Sequence, residues 1–428
     1  MDTTKRTALG PISYEELAWE GRLTDGMASR TKLRRHRGPY KAAVPADVAD
    51  VDTVLQAQTM AMAAEAAAEV ARFDAELGGE IAPFASVLLR SESAASSQIE
   101  NLTASARAIS EAELSMRQGG NAGQVVGNVA AMSAALALSG ALTGDAILRM
   151  HEALLSEHLP EIAGRWRTEP VWIGGSSLGP HAAAFIPPRH ERVPGLIDDL
   201  VAYIDRDDVP VLVQTAVAHA QFETIHPFPD GNGRAGRALM HAMLRGKGLT
   251  RNVTVPISAG LLVEVNAYFA ALTAFRQGEA DPIVERVADA AFAAVANGRH
   301  LVADLKDIRR SWDDRIKVRR GATVWRVVDL LLRQPVVNAA LLSTELGIAQ
   351  PNVYRTLEPL EGAEVLIPAA GSRGRIWRSP EVLDALDAFA ERAGGRPADG
   401  LIVLERGLSC CCGDRASPVP SAQHHASS

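Results

Sequence analysis

The sequence predicts a mostly α-helical protein built from two or three domains. At 428 residues the chain is too long for one simple core. Long alanine-rich segments, such as residues 54–77, repeat apolar residues at the spacing of an amphipathic helix. Strand-like runs are short, and the clearest of them lie within residues 171–188 and 365–377. These three observations predict a helical fold with small β elements.

Composition and charge exclude several classes of protein. Hydrophobic residues make up 47% of the chain, which is enough for a sizeable core without disulfides or structural metals. The net charge of −7 gives no support for a protein that coats nucleic acid. The three cysteines, Cys410–Cys412, are adjacent and lack the spacing of a disulfide framework or a zinc site.

The location of the protein in the cell can also be predicted. Residues 1–10 lack the continuous apolar stretch of a signal peptide. The longest apolar run, residues 125–142, is rich in alanine and is interrupted by Asn128, Ser133 and Ser139, which favours a buried helix over a membrane span. We therefore expect a cytoplasmic protein with no membrane partner.

The first 115 residues divide into two regions. Residues 1–50 read as a loop-rich N-terminal arm, and residues 51–115 as an N-terminal helical region, with helices at 54–77 and from Phe84 onward. The arm carries a basic cluster made of Arg30, Lys32, Arg34, Arg35, Arg37 and Lys41. Such a cluster more often marks a solvated surface than a nucleic-acid-binding arm.

Residues 116–300 form the predicted central core, which is helical apart from one hairpin. Val171–Ile173 and Ala184–Ile186 are strand-like and enclose the turn Gly174–Ser177, a pattern that predicts a β-hairpin. Residues 281–295 have the pattern of an amphipathic helix that closes the core.

The most informative stretch is His226–Arg237, with the sequence HPFPDGNGRAGR. Gly231–Gly233 allow a tight turn whose free N–H groups bind anions, and a helix that begins there adds its positive N-terminal end. Arg234 and Arg237 are three residues apart, so on that helix they share one face and can hold phosphate oxygens. The stretch therefore predicts a phosphate-binding loop.

Two more side chains in this stretch supply chemistry. Asp230 is a hard oxygen ligand, suited to Mg²⁺ that is also bound to phosphates. His226 titrates near neutrality and can accept the proton of a hydroxyl group. A base, a metal ligand and a phosphate-binding loop together indicate transfer of a nucleotidyl or phosphoryl group to a hydroxyl.

Two other interpretations of the same residues are weaker. The spacing of Gly231, Gly233 and Gly236 matches the dinucleotide fingerprint, but a helical pattern precedes it and the first later carboxylate is Glu264. The other interpretation is an ordinary corner between two helices with a surface histidine. Such a corner would seldom combine a base, a carboxylate, a glycine turn and two arginines.

The stretch resembles the signature of the Fic-domain family, His-x-Phe-x-(Asp/Glu)-Gly-Asn-Gly-Arg-x-x-Arg, and matches it at every fixed position. The resemblance covers roughly residues 50–300. It implies a Fic-type helical bundle core and transfer of AMP from ATP to a Ser, Thr or Tyr hydroxyl of another protein. It also implies that Phe228 anchors the loop in the core. The hairpin at 171–188 would align the target peptide as an added strand or serve only as structure.

The resemblance implies a role for each residue of the motif. His226 is the implied catalytic base. The implied ATP-binding residues are Asp230, Gly231, Asn232, Gly233, Arg234 and Arg237, with Asp230 also holding Mg²⁺. Arg234 is expected at the β-phosphate and Arg237 at the γ-phosphate. Tyr268 either lines the nucleotide pocket or is a buried aromatic residue with a hydrogen-bonded hydroxyl.

A second stretch, Ser96–Asn101, resembles the inhibitory motif (Ser/Thr)-x-x-x-Glu-(Gly/Asn) that precedes many Fic cores. Taken alone, it also fits the end of a surface helix, with Ser96 and Glu100 on one face. Beside the core motif, the resemblance implies that Glu100 pairs with Arg237 and occupies the arginine that the γ-phosphate needs. Bound ATP would then have its α-phosphorus misplaced for in-line attack. The implied inhibitory residues are Ser96, Glu100 and Asn101.

Residues 301–390 read as a connector helix followed by a small domain. Helical patterns at Val324–Leu332, Ala339–Leu346 and Asn352–Leu360 precede a hairpin around Gly371–Arg375. This order resembles a C-terminal winged helix–turn–helix domain.

The charges of residues 321–390 leave the partner of this domain open. Arginines favour DNA and glutamates repel its phosphates; they are Arg355, Arg373, Arg375 and Arg378, against Glu358, Glu361 and Glu364. DNA binding and a protein-docking or dimerising role are both compatible with this mixture. Residues 391–428 are predicted to be a disordered tail.

The sequence thus predicts a protein adenylyltransferase that uses Mg²⁺ and ATP, modifies a target protein and is held inactive by Glu100. Three alternatives stay open. The same site could remove AMP with Glu100 positioning the attacking water, or it could use another nucleotide as donor. The chain could instead be a winged-helix DNA-binding regulator with a vestigial core. A homodimer is compatible with the sequence.

Overall fold

The structure of this protein is a computed structural model, and α-helices dominate it. The structure describes residues 7–19, 36–78, 81–115, 120–176, 178–371 and 374–394. Within these ranges there are fifteen α-helices and three small β-sheets. The prediction of a mostly α-helical fold with small β elements is therefore confirmed.

The N-terminal region contains more strand than the expected loop-rich arm. β1 (Thr7–Ala8) pairs in parallel with β4 (Val51–Asp52), and β2 (Ser13–Leu17) pairs antiparallel with β3 (Tyr40–Val44). These strands are short and their partners are far apart in sequence, so no local pattern reveals them. Of the basic cluster, Arg37 and Lys41 are exposed, and Arg30, Lys32, Arg34 and Arg35 lie outside the described residues.

Eleven helices build the central part of the molecule. They are α1 (Ala57–Leu77), α2 (Ile81–Ile99), α3 (Ala106–Ser115), α4 (Gly120–Leu138), α5 (Gly144–Leu155), α6 (Val193–Ile204), α7 (Val211–Ile225), α8 (Asn232–Gly246), α9 (Ile257–Val263), α10 (Val265–Arg276) and α11 (Asp281–Arg315). Helix α7 is the centre, because every residue from Leu212 to Ile225 is buried. Helices α1, α6, α8, α10 and α11 pack against it, and α2 reaches α8 from the other side.

Helix α11 is longer than the sequence patterns suggested. The predicted closing helix and the predicted connector helix are one continuous helix, which crosses the expected domain boundary at residue 300 without a break. The charged residues of its second half occupy one side, whereas Leu301, Leu305 and Trp312 continue the buried stripe on the other. A change in average polarity therefore did not mark the end of a helix.

The predicted hairpin within residues 171–188 is present in a reduced form. A single antiparallel bridge joins Ile173 to Phe185, and a 3-10 turn (Pro180–Ala182) interrupts the returning arm. The carbonyl of Ile186 accepts a hydrogen bond from the N–H of Ala43 at 3.0 Å. The segment is thus tied to β3 and is not an isolated two-stranded ladder.

The C-terminal region follows the predicted order of elements and adds two. Its elements are α12 (Thr323–Arg333), β5 (Val336–Asn338), α13 (Ala339–Leu346), α14 (Gln350–Gly362), β6 (Ile367–Gly371), β7 (Gly374–Arg378) and α15 (Pro380–Arg392), with strand order β5-β7-β6. Strand β5 and helix α15 had no counterpart in the sequence patterns considered. The assignment as a winged helix stays a prediction.

The C-terminal region packs on α2, the helix that carries most of the predicted inhibitory motif. Arg90 of α2 donates hydrogen bonds to the carbonyl of Arg333 and to Gln334 Oε1, at 2.8 and 2.9 Å. Arg378 Nη2 pairs with Glu111 on α3 at 2.8 Å. Arg378 is therefore engaged inside the chain, which weakens one part of the argument for DNA. Arg373 and the cysteines Cys410–Cys412 lie outside the described residues.

In the ranges that the structure describes, no single helix is both long and apolar enough to cross a membrane. In the same ranges, α9 and α10 reach such a length and apolarity as a pair, but the pair is bent by 98°.

Candidate active site

The candidate site is the loop between α7 and α8. Helix α7 ends at Ile225, and the next residue, His226, has a φ of 50°, which lies in the left-handed region. Gly231, with φ of 76°, makes the second sharp turn and is followed directly by α8. A left-handed conformation is easy for glycine and costly for histidine, so the fold holds His226 in place by other contacts.

Asn232 and Phe228 close this loop. The Asn232 side chain accepts a hydrogen bond from the N–H of Phe228 at 2.8 Å and donates one to its carbonyl at 2.9 Å. The Phe228 ring is fully buried and stacks on His151 and Trp166, with centroid distances of 3.6 and 5.0 Å. The loop is thus anchored in the core through Phe228, as expected.

Arg167 holds the loop from the opposite side. Its Nε donates to the carbonyl of His226 at 2.8 Å, and its main-chain N–H donates to the carbonyl of Pro227 at 2.9 Å. Its guanidinium also donates to the carbonyl of Pro188, which links the loop to the bridge segment. Sequence reasoning missed this residue, because its partners lie far away in the chain and form no local motif.

The His226 imidazole is buried and neutral. Burial lowers its pKa to about 3, and the nearby positive charges of Arg167 and Arg276 act in the same direction. A neutral imidazole has a nitrogen lone pair that can accept a proton. His226 can therefore act as a base without first losing a proton.

The other end of the loop is built to attract anions. The N–H groups of the first turn of α8 lie behind Gly231, and the helix dipole adds positive charge there. The Arg234 and Arg237 side chains are each 2% exposed and share one face of α8. Within the described ranges, Arg234 Nη1 is buried without a hydrogen-bond partner. A buried donor in this position fits a site that receives an anion.

Glu100 occupies this anion site. Its Oε2 accepts a hydrogen bond from Arg234 Nε, and its Oε1 accepts one from Arg237 Nη2, both at 2.9 Å. A Cβ at Gly233 would lie against the same carboxylate, so a larger residue there would displace Glu100 or Arg237 from this arrangement. The predicted pair of Glu100 with Arg237 is present, and Arg234 is a second partner that the sequence interpretation did not include.

Ser96 and Asn101 support this arrangement. Ser96 accepts from Arg237 Nε through its hydroxyl at 2.9 Å, and its carbonyl accepts from Arg237 Nη2 at 2.7 Å. Asn101 has a φ of 62°, and the N–H of Leu102 returns to the carbonyl of Ser97 at 3.0 Å. This left-handed termination of α2 directs Glu100 towards α8.

Asp230 lies at the rim of the site. Its side chain is 34% exposed and its Oδ2 is 3.6 Å from Arg234 Nη2. Its main-chain carbonyl accepts a hydrogen bond from His151 Nε2 at 3.0 Å, and burial lowers the pKa of His151 to about 4. Among the described residues, no group of three or more His, Cys, Asp or Glu side chains could hold a metal ion.

Tyr268 lies behind the site, in the core. Its side chain is 1% exposed, and its hydroxyl is 2.8 Å from His219 Nε2. Burial raises the pKa of Tyr268 and lowers that of His219 to about 3. This geometry corresponds to the buried aromatic residue with a hydrogen-bonded hydroxyl, one of the two roles considered. A nucleotide-binding role for Tyr268 stays a prediction.

Comparison with known proteins gives one consistent family. Residues 141–244 match the model of the Fic/DOC family. The protein adenylyltransferase fic-1 of Caenorhabditis elegans is 30% identical over 155 residues, which are 35% of this chain and 27% of that protein. A probable protein adenylyltransferase of Aquifex aeolicus is 38% identical over 93 residues, which are 20% of this chain and 29% of that protein. The chain thus spans less than a third of the length of the curated relatives it matches.

A solved structure extends the likeness beyond the matched segment. The crystal structure of a Fic family protein from Desulfovibrio desulfuricans G20 superposes with a TM-score of 0.51 at 23% identity. The superposition covers 76% of this chain and 97% of that one, which shows a shared fold. The family match over residues 141–244, together with the intact motif from His226 to Arg237, shows that this chain contains a Fic domain.

Proposed function

We propose that the chain is a protein adenylyltransferase, an enzyme that moves AMP from ATP to a Ser, Thr or Tyr hydroxyl of a target protein. Relatives that bear this name support the proposal. The observation that carries it is the pairing of a neutral buried His226 with the anion-binding end of α8 across one short loop. A base beside a phosphate site is what AMP transfer to a hydroxyl requires.

The N-terminal end of α8 would bind the triphosphate. Gly231 precedes the helix, and Asn232 and Gly233 are its first two residues, so their N–H groups would bind phosphate oxygens with the help of the helix dipole. We assign the β-phosphate to Arg234 and the γ-phosphate to Arg237. The unpartnered donor Arg234 Nη1, within the described chain, supports a phosphate at this position.

Asp230 fits a Mg²⁺ ion that is shared with phosphates. Mg²⁺ is usually held by one or two carboxylates, with substrate phosphates and water completing its shell. Asp230 is partly exposed and lies beside the arginines of the phosphate site, so it offers such a single carboxylate. When bound there, Mg²⁺ would neutralise charge on the phosphate oxygens.

The proposed reaction is an in-line displacement at the α-phosphorus of ATP. The acceptor hydroxyl oxygen forms a bond to that phosphorus while the bond to the pyrophosphate oxygen breaks. His226 takes the hydroxyl proton and becomes an imidazolium ion. The N–H groups of Gly231–Gly233 stabilise the charge on the α-phosphate oxygens, and pyrophosphate leaves from Arg234 and Arg237.

We further propose that Glu100 keeps the site inactive. Its carboxylate holds both Arg234 and Arg237, so the γ-phosphate has no free guanidinium to bind. ATP that enters beside this pair would place its α-phosphorus out of line with the acceptor hydroxyl. The low exposure of both arginines strengthens the pair, because water does not screen buried charges well.

The test is transfer of label from α-³²P-ATP onto protein. Wild type, Glu100→Gly and Glu100→Gly/His226→Ala are compared with Glu161→Gly, which removes an exposed carboxylate elsewhere. We expect Glu100→Gly to label about ten- to a hundredfold more strongly than wild type, the factor for a charged hydrogen bond of about 1.5–3 kcal/mol. The double variant should be silent, and Glu161→Gly should match wild type.

Other outcomes of the same test would replace the proposal. Silence in every lane would contradict adenylyl transfer and favour removal of AMP or the DNA-binding regulator. Label from another nucleotide, or from the γ-position, would reassign the donor. Equal label in wild type and Glu100→Gly would contradict inhibition by Glu100.

A further inference from the structure

Glu223 is a buried carboxylate directly beneath the loop, and the reaction described so far does not use it. It lies on α7, three residues before His226, and its side chain is 8% exposed. Its Oε1 is buried and has no hydrogen-bond partner among the residues that the structure describes. A Cβ at Gly236 would lie 2.9 Å from that oxygen, so glycine at this position makes room for the carboxylate.

Glu223 faces His226 through two groups. The Glu223 Oε2 atom is 3.9 Å from His226 Nδ1, which is ion-pair distance and too long for a hydrogen bond. The main-chain carbonyl of Glu223 also acts on the His226 imidazole and raises its pKa, against the effect of burial. Both groups lie on the same residue, so Glu223 contacts the ring on the side that faces α7.

We propose that Glu223 is a positioning residue for His226: its carbonyl orients the imidazole, and its carboxylate stabilises the imidazolium ion that forms when His226 takes the acceptor proton. This inference rests on the proposed adenylyl transfer. No proton passes to Glu223 in this step; the hydroxyl proton stays on His226, and Glu223 remains ionised beside it. A carboxylate near an imidazolium lowers the free energy of the charged state more than that of the neutral ring.

The surroundings of Glu223 determine when it is ionised. Burial raises its pKa to about 7, Arg237 lowers it, Glu100 raises it and Arg276 lowers it. The charged and titratable groups around the pair come from several elements: Glu100 after α2, Arg167 after α5, His219 on α7, Arg237 on α8, and Tyr268 and Arg276 on α10. The carboxylate therefore titrates in the neutral range, and the support that it gives to His226 increases as the pH rises through that range.

The kinetic experiment uses the Glu100→Gly protein as the active parent. We expect Glu223→Gln in this background to lower kcat by about tenfold, the factor for one pKa unit of His226, with KM for ATP within about twofold. The rise of kcat with pH, which begins at lower pH in this background because Glu100 no longer raises the pKa of Glu223, should be lost in Glu223→Gln and retained in Glu223→Asp, which keeps the charge. A Glu223→Gln variant with the parent's kcat and pH profile would overturn the proposal.

Glu92→Gln is the matched control. Glu92 is also fully buried and contacts a histidine, with its Oε1 at 2.7 Å from His241 Nε2, but that histidine is not His226. Glu92→Gln should retain the pH profile of the parent. If both variants lost the pH dependence of kcat, removal of any buried carboxylate would have this effect. That result would overturn the specific role of Glu223.

A second readout does not depend on activity. In wild-type protein without nucleotide, the imidazole ¹⁵N resonances of His226, assigned by their loss in His226→Ala, should shift with a midpoint near pH 7 as Glu223 titrates beside the ring. The shift should be absent in Glu223→Gln. His226 resonances in wild type whose chemical shifts do not change with pH would overturn the proposal. If Glu100→Gly transfers no AMP while the resonances titrate as expected, adenylyl transfer fails and the coupling of Glu223 to His226 stands.

Discussion

Glu100 Oε1 accepts a hydrogen bond from Arg237 Nη2 at 2.9 Å, and this contact joins the end of α2 to the second turn of α8. The other oxygen of the same carboxylate is occupied by Arg234. One side chain therefore engages both arginines of the proposed phosphate site. Removal of Glu100 would free the whole site at once, whereas loss of a supporting residue would loosen only part of it.

Ser96 is such a supporting residue. In Ser96→Ala the bond from Arg237 Nε to the hydroxyl is lost, while the bond to the Ser96 carbonyl and the Glu100 pair remain. We expect transfer of α-³²P label to rise about two- to tenfold over wild type, since one hydrogen bond contributes about 0.5–1.5 kcal/mol. The level should stay below that of Glu100→Gly.

Ser97→Ala is the control for this prediction. Ser97 is also buried on α2, but its hydroxyl donates to the carbonyl of Ser93 and accepts from Asn128, away from the arginines. Label in Ser97→Ala should therefore match wild type. A rise in both variants would show that general loosening of α2, and not the bond to Arg237, controls transfer.

Much of the site could be predicted because its residues are contiguous. The motif from His226 to Arg237 supplies base, turn and arginines within one loop and one helix, where spacing fixes the shared face. Arg167 and Glu223 were missed for opposite reasons. The partners of Arg167 lie far along the chain, and Glu223 sits in an apolar helix whose burial on all sides periodicity does not reveal.

The fold shows the same limit. Helices were predictable wherever one face is apolar, because the period of 3.6 residues is local. Strands β1 to β4 were not predicted, because their pairing is decided by tertiary contacts between short segments. The continuation of α11 past residue 300 was not predicted either, because a rise in polarity resembles a linker. The buried stripe nevertheless continues through Leu301 and Leu305.

Asn232 should matter for both stability and rate. In Asn232→Ala the buried N–H and carbonyl of Phe228 lose their partners, which costs about 2 to 6 kcal/mol of unfolding free energy at about 1–3 kcal/mol for each of the two buried groups. The loop would then place His226 less accurately, so kcat in the Glu100→Gly background should fall at least about tenfold. Urea unfolding and label transfer measure the two effects. An unchanged free energy of unfolding would contradict the role of the two Asn232–Phe228 hydrogen bonds in holding the loop.

The stability of the protein should fall as the pH drops below 6.5. Burial lowers the pKa of His151 to about 4 and those of His219 and His226 to about 3, so the unfolded chain takes up three protons that the folded one excludes. Glu223 acts in the opposite direction, because its folded pKa of about 7 lets the native state hold one proton above the unfolded value. The net difference of about two protons predicts a loss of roughly 2.7 kcal/mol per pH unit between pH 6 and 5.

The measurement is urea unfolding at pH 7.5, 6 and 5. Glu223→Gln is the informative control, because it removes the opposing proton and should steepen the loss by about 1.4 kcal/mol per pH unit. A free energy of unfolding that is independent of pH in this range would contradict the burial of three neutral histidines.

Substitution of Asn101 tests whether the backbone conformation at the end of α2 is needed for the proposed inhibition by Glu100. Its φ of 62° is in the left-handed region, and its side chain is exposed, so substitutions there change the backbone preference and few contacts. Asn101→Ala should lower the unfolding free energy by about 1 kcal/mol and raise label transfer above wild type, because Glu100 is held less firmly against Arg237. Asn101→Gly adopts the same φ without strain, so its label transfer should remain as low as that of wild type. If the two variants showed equal stability and equal label, the left-handed turn would have no part in holding Glu100 in the site.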